Sequence, residues 1–347
     1  MKNLSTFKSQ NFFSFSKKNW DSVVDQFNGS IFYSYSYIKY LELCNIDKNF
    51  KNYSYIIFNN HKPLVIVLLF AEKHNKKKQI SIGNNTIQCP LYNPILTKDE
   101  IENLNKNILD NIDKTAVKEN CILARFQISS FNFLVDKKKY FNFYEDYGYK
   151  NSLSEKSWFN FKCNKSLIID LQEEKDLLYK NVRNTNKRYI NKTRKDTSLF
   201  ILDQKNIDKN LFKKYGEFHN QNKHNKRSFE NFEFNLSLIN EGKQTIFLCL
   251  SNTEIIGSLV ILNLNEKAYV NSICKINNCV KVFPVHYLFW SSIEYFLNKK
   301  YKYFWIGEKA NKNIKNLSDA EKNLSFFKEG WGGTEVQWTQ VEKKFYE

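Results

Sequence analysis

The sequence predicts an α/β chain of the α+β kind: two domains, each with a mixed and mostly antiparallel sheet flanked by helices. Three observations predict it. At 347 residues the chain is too long for one typical core and suits two domains of roughly 150 to 190 residues. Short β-branched and aromatic runs bounded by Asn, Lys or Pro alternate with segments whose apolar residues fall three or four apart. In the second half these follow a fixed order: two helices, three strands, a helix and a further strand. The expected domains are 1–160 and 161–347.

In the first half the spacing predicts helices at Ser16–Asn28, Tyr35–Leu43 and Lys98–Val117, with strands at Tyr53–Asn59, Pro63–Glu72 and Cys121–Ser129. The first two strands are joined by Asn60-His61-Lys62 and read as a hairpin. In the second half a strand at Ser166–Leu171 leads to a helix from Glu173 and a basic helix at Asn181–Asp196. A strand at Ser198–Asp203 and helices at Ile207–Asn222 and Ser228–Asn240 follow. Strands at Gln244–Leu250, Glu254–Asn263 and Lys267–Lys275 form a meander, and helix Pro284–Leu297 and strand Lys302–Gly307 complete the order, which is that of an acetyltransferase.

Composition supplies a core and narrows the classes. Apolar residues make up 42% and aromatic residues 16% of the chain, which excludes wholesale disorder. The seven cysteines are scattered, with no Cys-x-x-Cys pair, and read as reduced core residues without zinc. The start of the chain has no apolar leader, and the longest apolar run, Pro63–Ala71, is shorter than the ~20 residues of a membrane span. A cytoplasmic location is expected, with the inner face of the membrane as its variant. The net charge of +17 is mostly lysine and is spread along the chain: residues 1–160 carry 22 basic against 15 acidic groups, and 161–347 carry 31 against 21. Such a balance says little about a polyanionic partner.

Three segments carry a resemblance. The first is Ile31-Phe32-Tyr33-Ser34-Tyr35-Ser36-Tyr37-Ile38-Lys39-Tyr40-Leu41. The second runs from Leu167-Ile168-Ile169-Asp170-Leu171 through Asn181-Val182-Arg183-Asn184-Thr185-Asn186-Lys187-Arg188-Tyr189-Ile190-Asn191-Lys192. The third is Phe326-Phe327-Lys328-Glu329-Gly330-Trp331-Gly332-Gly333, preceded by Tyr303-Phe304-Trp305-Ile306-Gly307. In this order they resemble the FemAB-like family, whose members pair two tandem acetyltransferase-like (GNAT-fold) domains and transfer an aminoacyl or acyl group to an amine. Trp305 stands where the family often has Asp, and the first segment lacks the family's Trp. The resemblance implies Lys328 and Tyr269 as catalytic residues. It implies Arg183, Lys187, Arg188, Phe327, Gly307 and Lys39 as substrate-binding residues.

The arginines add an argument from placement. The chain has five, and Arg183, Arg188 and Arg194 fall within twelve residues. No acidic residue lies between Asp176 and Asp196, so neighbouring cations repel in the isolated helix. Arginine forks suit bidentate phosphate contacts, and a diphosphate-bearing acceptor or a tRNA backbone would relieve the repulsion. The competing reading is a solvated helix face. On the wheel, Val182, Tyr189 and Ile190 form the stripe available for docking.

Acyl transfer to an amine needs no serine or cysteine nucleophile, only positioning and stabilisation of the developing oxyanion. The sequence holds no Gly-x-Ser-x-Gly elbow, no Walker loop, no His-Glu-x-x-His and no dinucleotide fingerprint. Lys328, between phenylalanines and glycines, reads as the electrostatic element; the competing reading is a surface lysine before a Gly-rich turn. Its replacement by alanine is expected to slow turnover with little change in melting temperature. His219, His224 and His286 read as packed or exposed side chains. The stretch Lys275–Lys281 has no glycine, whereas a CoA pyrophosphate is usually met by a Gly-rich turn at a helix N-terminus. The expected donor is therefore aminoacyl-tRNA, with acyl-CoA as the alternative, and no metal or bound cofactor. The expected acceptor is a phosphorylated, amine-bearing nucleotide- or lipid-linked precursor of the cell wall or a surface polysaccharide, reached by peripheral contact with the membrane where lipid-linked. An acyl-CoA-dependent N-acetyltransferase of amino sugars and a non-enzymatic nucleic-acid-binding protein are the alternatives.

Overall fold

The computed structural model describes residues 7–83, 86–129, 144–151, 163–223, 226–276, 282–310 and 317–346. The chain divides into two compact units: Met1–Lys165 with Ala310–Lys315 and Gln337–Glu347, and Ser166–Lys309 with Asn316–Val336.

The first unit opens with β1 (Lys8–Asn11), α1 (Lys17–Gln26) and α2 (Tyr35–Cys44). The side chains of Ser16 and Ser34 cap the two helices, taking up amide groups that helix starts leave unpaired. Six short strands follow: β2 (Lys51–Asn52), β3 (Tyr55–Asn59), β4 (Lys62–Val67), β5 (Phe70–His74), β6 (Lys77–Ile80) and β7 (Ile87–Gln88). After β8 (Leu91–Tyr92) comes α3 (Lys98–Lys118), which begins in a capping box between Thr97 and Glu100. Next are β9 (Cys121–Ser129) and β10 (Lys150–Asn151). The hairpin forms as expected between β3 and β4. The strand expected at Pro63–Glu72 is two strands, however. β4 pairs with β3 and β8, while β5 pairs with β2 and β6 in the other sheet, and the chain changes sheets at the buried Leu68-Leu69. A run that is apolar throughout carries no alternation to mark such a switch.

The second unit starts with β11 (Cys163–Asp170), which crosses its boundary, then α4 (Lys175–Asn181) and α5 (Asn184–Asp196). β12 (Ser198–Leu202), α6 (Lys209–Asn222) and α7 (Phe229–Asn240) precede the meander β13 (Gln244–Ser251), β14 (Glu254–Leu264) and β15 (Lys267–Lys275). The unit continues with α8 (Pro284–Asn298), β16 (Tyr303–Ala310) and α9 (Asp319–Glu329), and β17 (Thr334–Lys344) leads out of it. The strands run β12-β13-β14-β15-β16-β11 across the sheet. β12 to β15 are antiparallel, and β15 is parallel to β16. A core of Phe247, Leu259, Phe289, Ile293, Phe304 and Trp331 packs α8 onto this sheet.

Two expectations are corrected here. The basic helix starts at Asn184, because Val182 and Arg183 are extended (ψ 135° and 137°) and part it from α4. Its buried residues are Asn186, Ile190 and Thr193, so Val182 lies outside the helix and Tyr189 is half-buried beside the docking stripe. The second concerns the competing reading of Lys328 as a surface lysine before a Gly-rich turn: it lies in the last turn of α9, which is capped at its start by a Ser318–Glu321 box, and it is buried.

Candidate active site

Two parallel strands that separate leave an opening at their carboxyl ends, the usual ligand position in α/β sheets. β15 and β16 pair only as Lys267↔Tyr303, Ala268↔Phe304 and Tyr269↔Trp305, although β15 runs on to Lys275 and β16 to Ala310. Gly307 stands two residues past the last pair. Its φ is +119°, a conformation that a side chain would strain.

Lys328 reaches this point from the last turn of α9. Its Nζ donates to the Glu308 carbonyl and lies 3.0 Å from where a Cβ on Gly307 would stand. The residue is only 8% exposed. It is thus no surface lysine: a buried ammonium is retained where polar partners hold it, so its removal is expected to lower stability as well as remove charge, where the sequence led us to expect little change in melting temperature. Its neighbourhood is charged in a way the sequence did not signal. Glu308 and Lys309 are buried. Lys309 bridges Glu329 at 2.6 Å and also contacts Glu335. Burial alone would lower the Lys309 pKa, but the hydrogen bonds it donates to the two carboxylates outweigh it and raise the pKa.

Phe327 is half-buried, with its ring 5.3 Å from His286, 5.5 Å from Phe289 and 5.7 Å from Trp331. His286, also ringed by Tyr189 and Phe283, has its pKa pushed down to about 4 by burial and by Lys275, so its imidazole is neutral at pH 7. His219 is likewise pushed down to about 4 by burial and Arg227 and packs against Tyr215 and Phe232. His224 and the stretch Asn277–Lys281 lie outside the described residues. Tyr269, 3% exposed, is the last β15 residue paired with β16, with its ring 5.9 Å from that of Trp305.

The basic segment divides into structural and solvent-facing cations. Arg183 donates to the Phe326 carbonyl at 2.9 Å, and its guanidinium lies 3.6 Å from the centre of the Phe326 ring. Its backbone N–H goes to the Gly330 carbonyl, which also accepts from Asn186. A Cβ on Gly330 would stand 2.6 Å from the Asn186 amide nitrogen, so this glycine is what lets α5 close on the end of α9. Lys187 donates to the Lys180 carbonyl at 3.0 Å, and Arg194 pairs with Glu294. Arg188, Lys192 and Lys195 are exposed, with spacing that puts them on one face. Of the expected residues, Gly307, Lys328, Phe327 and Arg183 gather around α9, with Lys187 and Arg188 following on α5. Lys39 belongs to the other unit, where it pairs with Glu42 at 2.8 Å and lies over the rings of Phe12 and Phe13.

The start of α8 bears on the donor. The Phe283 N–H donates to Thr193 Oγ1 at 2.8 Å, Pro284 has no N–H, and the His286 N–H returns to the Phe283 carbonyl. The Tyr189 ring stacks on Phe283 with 3.7 Å between centroids. Thr193 of α5 therefore takes one of the backbone donors that a pyrophosphate at this helix start would use, and Tyr189 covers Phe283.

Among the described residues there is no cluster of three or more His, Cys, Asp or Glu side chains suited to a metal, and no helix is long and apolar enough to cross a membrane.

No family model matches the sequence. The chain is 27% identical over 307 residues to protein Ycf2 of Marchantia polymorpha, a match that takes in 82% of this chain and 14% of that protein. The fold is that of FemX, with a TM-score of 0.72 at 12% identity, covering 97% of each chain. A tandem GNAT protein from the clavulanic acid biosynthesis pathway superimposes with a TM-score of 0.55 at 10% identity, covering 97% of this chain and 98% of that one. The fold is accordingly the tandem GNAT fold of FemX-like proteins.

Proposed function

We propose that the chain is an N-acyltransferase that moves an aminoacyl group from aminoacyl-tRNA to an amine on a phosphorylated, nucleotide- or lipid-linked precursor. The observation that carries this reading is the buried Lys328 ammonium at the parting of β15 and β16, beside the side-chain-free Gly307. In the reaction the neutral acceptor amine attacks the ester carbonyl and a C–N bond forms. Negative charge gathers on the carbonyl oxygen, where a fixed cation in a dry setting stabilises it. The C–O bond to the ribose then breaks, and the proton lost by the amine ends on the departing ribose oxygen. Lys328 acts by charge and takes no proton. Phe327 keeps the site apolar, Tyr269 supports its floor at the strand pair, and Arg188 faces the phosphates while Arg183 and Lys187 hold its segment in place.

The covered start of α8 supports aminoacyl-tRNA over acyl-CoA as donor, and such a donor places the reaction in a compartment where translation occurs. The reading is tested by incubating the protein with charged tRNA or with acyl-CoA, together with nucleotide-linked or lipid-linked muropeptides, and following the mass of the acceptor. Aminoacylated product from the tRNA arm is expected; product from acyl-CoA alone, or from no donor, overturns it.

A further inference from the structure

Phe326 lies next to the residues just described and has no place in that chemistry. It is 60% exposed, while Lys328, two positions on, is buried. At 100° per residue the two side chains leave α9 about 200° apart, so one faces solvent and the other faces β16. The Phe326 ring is nonetheless held: the Arg183 guanidinium lies 3.6 Å beneath it and is tied to the Phe326 carbonyl, and the Arg183 backbone is tied to Gly330. A large aromatic ring, fixed on one face by a cation and open on the other, presents a stacking surface whose ordering cost is already met. The helix that follows Arg183 carries Arg188, Lys192 and Lys195 on one exposed face, with no ion pair or hydrogen bond among the described residues. A flat aromatic ring beside a row of cations complements a base flanked by phosphates, and this combination defines sequence-tolerant binding of single strands.

We propose that Phe326, backed by Arg183, is the platform on which a nucleobase of the unpaired 3′ end of the donor RNA stacks. The proposal rests on the aminoacyl-tRNA reading above and extends it. Only an unpaired base offers both faces to an aromatic side chain; bases inside a duplex are already stacked. Because Phe326 and Lys328 project from opposite sides of α9, the stacking base is not the nucleotide that bears the ester. It is one upstream of it.

The test compares binding of two uncharged RNA hairpins, one with an unpaired 3′ CCA end and one blunt, to the full chain and to Phe326→Ala and Phe326→Trp. CoA provides a third arm as a free adenine nucleotide. The exposed position keeps both variants folded, which circular dichroism verifies. The wild type should prefer the hairpin with the unpaired end. Phe326→Ala should weaken that hairpin roughly 5- to 150-fold, the span of one base stack, and leave the blunt hairpin unchanged. Phe326→Trp should retain the preference and show fluorescence quenching when the unpaired end binds. Equal binding of both hairpins by the wild type, or an unchanged preference in Phe326→Ala, overturns the proposal, as does a Phe326 effect confined to CoA. The two readings separate in the transfer assay. Aminoacyl transfer that is indifferent to Phe326 removes the platform and leaves the function. Phe326-dependent binding of the unpaired end, with no aminoacyl transfer, removes the function and leaves the platform.

Discussion

Replacing Lys328 with methionine separates its two roles. Methionine keeps the apolar stem packed and removes the ammonium. The charged hydrogen bond to the Glu308 carbonyl is lost, at a site 8% exposed. A hydrogen bond to a charged group contributes about 1.5–3 kcal/mol, and leaving its partner buried and unpaired puts the cost toward the upper part of that range. For a unit of this size each kcal/mol is worth roughly 2–4 °C, so a melting temperature about 3–12 °C lower is expected. On the rate, removal of one preorganised electrostatic group costs about 10²–10³ in turnover. Differential scanning fluorimetry reads the first quantity, and single-turnover transfer from charged tRNA, measured well below the variant's melting point, reads the second. A variant that melts lower yet transfers within a few-fold of the wild-type rate would refute the catalytic role, since a purely structural lysine gives that result.

Gly307→Ala should lower both stability and rate, because a side chain at φ +119° costs about 1–3 kcal/mol and its Cβ meets Lys328 Nζ at 3.0 Å; an unchanged rate in transfer assays would show that the position of the amine is unimportant. Lys309→Met should destabilise by about 1.5–3 kcal/mol in denaturant melts, toward the lower end because Glu335 is 42% exposed and can be hydrated. The pKa of His286 is depressed to about 4, so its share of stability is present above its ordinary value near 6.5 and is lost as pH falls through 4. His286→Phe, set among rings, should flatten that part of the melting curve against pH, and an unchanged slope would sink the assignment. Glu119, held down to about 2 by hydrogen bonds from Tyr53, Lys51 and Lys78 against the cost of burial, should likewise lose its contribution as pH falls from about 4.5 toward 2. Glu119→Gln should be less stable at pH 7 and less acid-sensitive over that window.

Most of the second unit was readable because its periodicities are clean. Lys267–Lys275 has the same limits in sequence and structure, as Cys121–Ser129 does in the first unit, and Pro284 marks the start of α8 by fixing its first turn. The misreadings share one cause, which is that tertiary partners change what a residue type means. β16 extends to Ala310 because Glu308 and Lys309 are buried with partners, yet a Glu-Lys pair reads as the end of a strand. Lys328 read as one of many surface lysines in its competing reading, since nothing local announces that Gly307, twenty-one positions earlier, leaves room for its amine. Asn186 carried no signal either: its amide matters through Gly330, far away in sequence. β17 escaped notice because its Glu, Gln and Lys residues mask the alternation that its pairing with β9 later explains.

The three clustered arginines illustrate how placement and role come apart. Their density within a lysine-rich chain pointed to a phosphate-bearing partner, and the structure ties two of them to protein neighbours and leaves the third in solvent. Arg194 ties α5 to the later part of α8 through Glu294, which also takes Lys175, and Thr193 holds the start of α8 through the Phe283 N–H. Arg183 ties the other end of α5 to α9 through Phe326 and Gly330. With both ends of α5 anchored, the exposed face of Arg188, Lys192 and Lys195 is held in place while remaining in solvent. Like charges so arranged cost stability in the free protein, and the cost persists only where rigid anchoring prevents the helix from relieving it. An anion that spans these cations removes the repulsion on binding. The Arg188→Glu variant should therefore weaken RNA binding, with a shallower salt dependence, while leaving the melting temperature close to that of the wild type. A melting temperature that falls with it would place Arg188 among the structural arginines.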